Sequence, residues 1–282
     1  MWPGHTASPA PRLGAWQAPA RAGFNPDRLL ATPADAAAAA DLVLMCLMDA
    51  RAVEATVFGE RGFASRAAGA RARVLVDHSS IRPDATVAFA QRLAAAGVDW
   101  VDAPVSGGIA GAAAGTLAIM CGGAPAAVAR AEPVLRSYAG RVTRMGGPGA
   151  GQTTKLINQI LVGSAIATIA ESVALAQAAG IDPLQLPQAL AGGWADSKPL
   201  QVFVPRMVEG YQQSIGATST MLKDLDTALD LARSVERPLP MAAQAQQLMR
   251  LLTARGLGEA DPAELASLYR RPTVQRGSEQ DT

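Results

Sequence analysis

The chain has 282 residues, 49% hydrophobic and 17% charged, with 25 Lys and Arg against 24 Asp and Glu. That length allows one large domain or two ordinary ones, and the near-neutral balance gives no electrostatic footprint for nucleic acid or an anionic membrane. Aromatics at 4% argue against a base-stacking surface, and two histidines, His5 and His78, leave no metal site built on histidine.

The opening "MWPGHTASPAPRLG" lacks the basic-then-apolar order of a secretory signal. From about Ala31 to Met145, short apolar runs alternate with helical patterns. "DLVLMCL", "RVLVDHSS", "DWVDAPVSGG", "GTLAIMCGG" and "RVTRMGG" read as strands. "DARAVEATVFG", "RPDATVAFAQRLAAAG" and "APAAVARAEPVLRSYAG" read as helices, the second with Pro83 in its first turn and Gly97 as its stop. This alternation predicts a mainly parallel, doubly wound α/β sheet. Cys46 and Cys121 lie in apolar strand-like runs, so both are expected to be buried, reduced thiols, which suits a cytoplasmic protein.

After Gly151 the pattern becomes helical throughout. "QTTKLINQILVGSAIATIAESVALAQAAG" predicts one long helix, apolar on nearly every face, that stops at Gly180 with Pro183 beyond. Glu171 interrupts its apolar run and "ADLVLMCLMDA" is too short for a bilayer, so no membrane helix is expected. Five more helical segments follow, in "DPLQLPQALAGG", "KPLQVFVPRMVEG", "TSTMLKDLDTALDLARSV", "PMAAQAQQLMRLLTARG" and "DPAELASLYRR". The expected organisation is a sheet domain over 1–149 and an all-helical domain over 150–282, with a disordered tail from about 272.

"GGPGAGQTTKLINQI" offers two readings. A phosphate loop needs its lysine directly after the last glycine, yet Lys155 comes four residues after Gly151, and G-x-G-x-x-G fails at Thr154. A lysine near a helix start, with Asn158 on the same face, is better suited to proton transfer, because the helix dipole and burial both disfavour the ammonium. The plain alternative is a surface lysine at a domain junction. "DAPVSGG" ends a strand with Ser106, Gly107 and Gly108, whose hydroxyl and backbone N–H groups suit a carboxylate; alone it is equally a Gly-rich turn. Ser80 lies at the carboxyl edge of the sheet, where open α/β sheets bind ligands. Lys223 borders the apolar stripe Leu222, Leu225, Leu229, a position that by default is merely solvated. A Ser-His-Asp triad would have to use His78, where a structural histidine is the simpler reading.

Five segments, "DHSSIRP", "DAPVSGG", "GPGAGQTTKLINQ", "AGGWADSKPLQ" and "MLKDL", together resemble the β-hydroxyacid dehydrogenase family in order and spacing, over roughly Ala31 to Arg270. The resemblance implies a Rossmann-like domain joined to a helical one by the long helix after Gly151. It implies an NAD- or NADP-dependent enzyme interconverting a short 3-hydroxy acid and its semialdehyde or keto form. Lys155 would be the acid/base, Ser106, Gly107 and Gly108 would hold the substrate carboxylate, and Asn158 would orient the substrate. Leu47, Met48, Ser80 and Lys223 would contact the cofactor, with Met48 standing where the family usually has proline. The helical domain would form a homodimer or homotetramer, and Trp194 and Ser197 of "GGWADSKPLQ" would reach the pocket. No metal is implied.

The family's opening strand, Gly-rich phosphate loop and following helix have no counterpart here, "PGHT" resembles the turn before its second strand, and no G-x-G-x-x-G occurs in the 282 residues. The Rossmann-like sheet is therefore expected to be incomplete. A second reading follows, of a non-catalytic carboxylate-binding or assembly protein that has lost the phosphate loop.

Overall fold

The computed structural model describes residues 30–65 and 71–270. The Pro-rich start and the tail expected to be disordered from about 272 lie outside the described residues. Thr32 opens α1 (Pro33–Ala39) by accepting from the Asp35 N–H. β1 (Leu42–Met45), α2 (Ala50–Phe58), β2 (Val74–Asp77), α3 (Pro83–Ala94) and β3 (Asp99–Asp102) then alternate, with β1–β2 and β2–β3 parallel. Asp49 caps α2 through the Ala52 N–H, and Pro83 opens α3 as expected.

Pro104 breaks the strand after Asp102. The chain continues as β4 (Val105–Ser106), α4 (Gly108–Ala114), β5 (Leu117–Gly122), α5 (Pro125–Leu135) and β6 (Ala139–Gly146). β3 and β4 both run antiparallel to β5 in one register, with Asp102 opposite Gly122 and Val105 opposite Ile119. β5 and β6 are parallel. The sheet is thus parallel-dominated with one reversal at its centre. Helix α4 replaces what reads in sequence as a glycine turn.

Period-two alternation in β2 sends side chains to two cores. Leu75 joins Val53 and Val57 of α2 and Phe89 and Leu93 of α3 on one face. Val74 and Val76 pack on the other with Val128 and Leu135 of α5. This second face is uncovered at β1, where no described helix lies over it. Leu44 and Met48 are exposed there, and so is Cys46, which corrects the expectation of two buried thiols. Cys121, covered by α5's core, is buried and free.

The helical lobe is organised on α6 (Ala150–Ala178), whose 29 residues span about 43 Å. It ends as the sequence predicts, with Gly180 left-handed at φ +74 and the Ile181 N–H returning to the Ala176 carbonyl. A 3-10 turn (Pro183–Gln185) and α7 (Leu186–Leu190) lead to α8 (Lys198–Glu209), α9 (Thr218–Ser234), α10 (Pro240–Ala254) and a final 3-10 segment (Pro262–Tyr269). Ile166, Val173, Val204, Leu225, Met249 and Leu265 form their common core. By length and composition alone α6 is long and apolar enough to cross a membrane. Here it packs against α8, α9, α10 and the sheet.

Candidate active site

Close packing at the start of α6 brings the two lobes together. The N-cap, Gly149, has φ +86 and no capping side chain of its own. The cap comes instead from Asp102 at the end of β3, whose two carboxylate oxygens accept from the Gly149 N–H at 2.8 Å and the Gln152 N–H at 2.9 Å. A carboxylate facing a helix N-terminus is favoured by the dipole and by the orphan N–H groups. Burial nevertheless pushes the Asp102 carboxyl above its ordinary range, against the hydrogen bonds that hold it down. Gln152 extends the join: its amide donates to the Ser79 carbonyl at 2.6 Å and accepts from the Ile81 N–H at 3.3 Å.

The glycines here serve contact between backbones. A Cβ on Gly151 would lie 2.4 Å from the Met120 carbonyl oxygen and 2.7 Å from that of Asp102. At Gly151 the close neighbour of the helix start is therefore the sheet. Thr153 and Thr154 donate to the Gly149 and Ala150 carbonyls, so their hydroxyls are spent within the helix.

Lys155 follows one turn later. Its Nζ donates to the Val105 carbonyl at 2.8 Å, directly before Ser106. The half-buried amine is pushed below the usual lysine range by burial; the nearby Lys223 charge acts the same way and Asp224 opposes. Ser106 ends β4, and the chain turns through Gly107 and Gly108 at φ +132 and +62, a geometry that needs glycine. The Ser106 hydroxyl donates to Asn158 Oδ1 at 3.2 Å, three residues along α6 from Lys155. Ser106, Gly107, Gly108, Lys155 and Asn158 line a single cavity of about 280 Å³.

From Asn158 the hydrogen bonds continue into the helical lobe. Asn158 Nδ2 donates to Gln159 Oε1 at 2.9 Å, and Gln159 Nε2 donates to buried Asp224 Oδ2 at 2.7 Å. Asp224 Oδ1 pairs with Lys223 Nζ at 3.2 Å, and that amine donates to the Ser80 carbonyl at 3.0 Å. A polar relay thus links the Ser106 corner to the carboxyl end of β2. Gln159 and Asp224 escape a reading of the sequence because each looks like an ordinary helical polar residue beside a lysine or asparagine. Their burial is what marks them.

Leu47, Met48, Ser80 and Lys223 do not line the cavity: the first three follow the carboxyl ends of β1 and β2, and Lys223 reaches Ser80 from α9. The buried Ser79 hydroxyl accepts from the Leu47 N–H at 2.8 Å and fixes that turn. Lys223, with a 41% exposed side chain, and the exposed Met48 offer an amine and an apolar platform. Those groups fit the nicotinamide end of a dinucleotide. No glycine-rich pyrophosphate cradle occurs among the described residues.

Two expectations fail. Trp194 is fully exposed and Ser197 caps α8 through the Leu200 N–H at 3.2 Å, so neither lines the cavity. Their loop is folded on itself at the far end of α6, with Asp196 accepting from the Gly192 N–H and from Gln201. His78 is structural, as its strand-end position suggests. Its Nδ1 meets the Ala103 carbonyl at 2.6 Å and its Nε2 the Tyr138 hydroxyl at 2.8 Å, and burial lowers its pKa.

Known proteins resemble this chain along most of its length. Residues 17–147 match the family model for the NAD binding domain of 6-phosphogluconate dehydrogenase. Residues 149–269 match that for the NAD-binding domain of NADP-dependent 3-hydroxyisobutyrate dehydrogenase. The 2-hydroxy-3-oxopropionate reductase of Escherichia coli is 37% identical over 80% of this chain and 77% of its own length. The L-threonate dehydrogenase of Cupriavidus necator is 35% identical over 85% and 80%. Among solved structures, the 3-hydroxyisobutyrate dehydrogenase of Salmonella typhimurium superposes with a TM-score of 0.74 at 29% identity, covering 84% of this chain and 82% of that one.

Proposed function

This chain belongs to the β-hydroxyacid dehydrogenase family, and we propose that Lys155 is its acid/base and the Ser106–Gly108 corner its carboxylate site. The chain is an NAD(P)-dependent oxidoreductase of short hydroxy acids. Its relatives are named as reductases and dehydrogenases, which does not favour a non-catalytic binder that has lost the phosphate loop. The sheet lobe takes the dinucleotide and the helical lobe closes the substrate cavity.

One observation carries the assignment of roles: Lys155 Nζ lies 2.8 Å from the Val105 carbonyl, inside the cavity that Ser106, Gly107, Gly108 and Asn158 share. Ser106, Gly107 and Gly108 hold the acid's carboxylate, which sets the 3-hydroxyl against the amine. In oxidation the neutral amine takes the hydroxyl proton; in reduction the ammonium returns it to the carbonyl oxygen. Burial of Lys155 enlarges its neutral fraction at a given pH. NAD(P), when bound, would provide the hydride acceptor or donor. Asn158 holds the Ser106 hydroxyl, and Leu47, Met48, Ser80 and Lys223 bracket the nicotinamide end.

Lys155→Met tests the assignment in steady-state assays with 3-hydroxyisobutyrate, glycerate and threonate, each with NAD and with NADP. General acid–base catalysis contributes on the order of 10²–10⁴-fold, and kcat should fall by that much. Unchanged kcat overturns it.

We further propose that the chain assembles as a homodimer or homotetramer through the helical lobe. The support is apolar surface that a lone protomer leaves wet: Leu161, Leu175 and Ile181 are exposed, and so is Trp194. Light scattering on a sizing column, with Leu175→Glu as the variant, tests this; a wild-type monomer refutes it. The free thiols support a reducing, cytoplasmic setting.

A further inference from the structure

The carboxylate corner occupies one end of the 280 Å³ cavity. The rest of the wall is mainly apolar, with Val162 and Ile166 of α6, Phe203 of α8, Met221 of α9 and Ile215; Gln159, already bonded to Asp224, and the Thr220 hydroxyl are its polar members. Lys155 is the one charged side chain among the described residues that line the cavity. A second carboxylate, or a row of hydroxyls, would find beyond the corner the single Thr220 hydroxyl and no cation in exchange for its water. An alkyl group would leave water at no such cost.

Gly216 stands at the exposed rim of that wall. Its φ is not in the left-handed region, and a Cβ built on it meets nothing within 4 Å. Neither backbone strain nor packing asks for glycine there; what glycine does is leave space at the wall of the cavity. The loop holding it is fixed on both sides. The Ile215 N–H donates to Asp261 Oδ2 at 2.9 Å, and the same oxygen pairs with Arg206 Nη2 at 2.6 Å. The Thr218 N–H and hydroxyl both donate to the Ala260 carbonyl at 2.9 Å. The width at Gly216 is therefore a built feature of the wall.

We propose that this site takes a 3-hydroxy acid whose carbon 2 carries an unbranched alkyl chain longer than methyl, and that Gly216 is the residue that admits the chain. The proposal rests on the reading of this cavity as the hydroxy-acid site. It goes further by naming the substituent.

Titration calorimetry on the full chain, with and without reduced nucleotide, tests it with four 3-hydroxypropionates substituted at carbon 2. The substituents are methyl, butyl, hydroxyl (glycerate) and carboxyethyl. Each methylene that leaves water gives about four-fold in affinity, so the butyl acid should bind at least about ten-fold more tightly than the methyl acid. Glycerate and the diacid should bind more weakly than either. Gly216→Leu should cost the butyl acid about ten-fold or more and leave the methyl acid within about three-fold. Equal binding of the methyl and butyl acids, tighter binding of glycerate or the diacid, or no binding of any overturns the proposal. So does a Gly216→Leu protein that weakens both alkyl acids alike. Turnover is scored separately: the butyl acid bound in the expected order but not oxidised with either nucleotide refutes the dehydrogenase roles and leaves the pocket assignment standing.

Discussion

Gly151→Ala adds one methyl group at the contact between the two lobes. The new carbon would sit 2.4 Å from the Met120 carbonyl oxygen, 2.7 Å from that of Asp102 and 2.8 Å from Asp102 Oδ2. Ordinary contact begins at 3.4 Å, so the first turn of α6 must withdraw by about 1 Å. Nothing nearby can swing aside, because two of the three neighbours are backbone oxygens of paired strands. The withdrawal also stretches the bonds from the Gly149 and Gln152 N–H groups to Asp102. Overpacking costs ~1–3 kcal/mol, and rigid neighbours place this case at the top of that range. For a chain of this size that lowers Tm by about 6–12 °C. Lys155 follows one turn along the same helix, and a misplacement of about 1 Å at a reacting group is worth on the order of 10²-fold in kcat. Thermal unfolding by circular dichroism and initial rates of reduced-nucleotide formation measure the two effects. Gly147→Ala is the control, since a Cβ there meets nothing within 4 Å. A Gly151→Ala protein that melts and turns over like the wild type would refute the reasoning.

Other consequences follow from the same geometry. With Lys155 depressed by burial, kcat/KM for oxidation should rise with pH through an apparent pKa below the ordinary lysine value, while the reduction rate falls over the same span; matching profiles in both directions would remove the assigned proton role. Asp77 is buried with Oδ2 lacking a partner, and burial raises its pKa to about 6. Its folded-state value lies above the unfolded one, so its share of stability is full below about pH 4 and is lost as pH rises through about 6. Asp77→Asn should flatten that slope in urea titrations and leave the protein more stable at pH 8, by on the order of 3 kcal/mol at most; an unchanged slope counts against it. Of the two cysteines, Cys46 alone should react with a thiol reagent in the native protein, because Cys121 is buried and pushed up to about 12. A single rapid thiol that persists in Cys46→Ser would contradict this.

Much of the architecture is legible in the chain because local patterns agree with the global fold. Val74 to Asp77 alternates into two cores, Pro83 starts a helix, and Gly180 stops one. Helix α4 is hidden because "GIAGAAA" has two glycines in seven residues, so its propensity is poor and its ends look like turns. Cys46 is misjudged because an apolar run shows that a strand is apolar, not whether both faces are covered. The Ser106–Lys155–Asn158 group is legible from motif order. Its supports are not, since Asp102 caps a helix starting 47 residues later and Asp224 answers Gln159 across 65. Trp194 misleads because a large aromatic in a motif looks like a pocket wall, and only the fold shows which end of α6 it occupies.

The long helix α6 belongs to both halves of the molecule. Its first turn is bolted to the sheet through Asp102, and its body is threaded through the helical core. Lys155, one turn into the helix and bonded to the Val105 carbonyl, is therefore held in register with the Ser106 corner, while the helical half carries the far wall of the cavity. Any rocking of one half against the other would change the width of that cavity and leave the amine beside the corner.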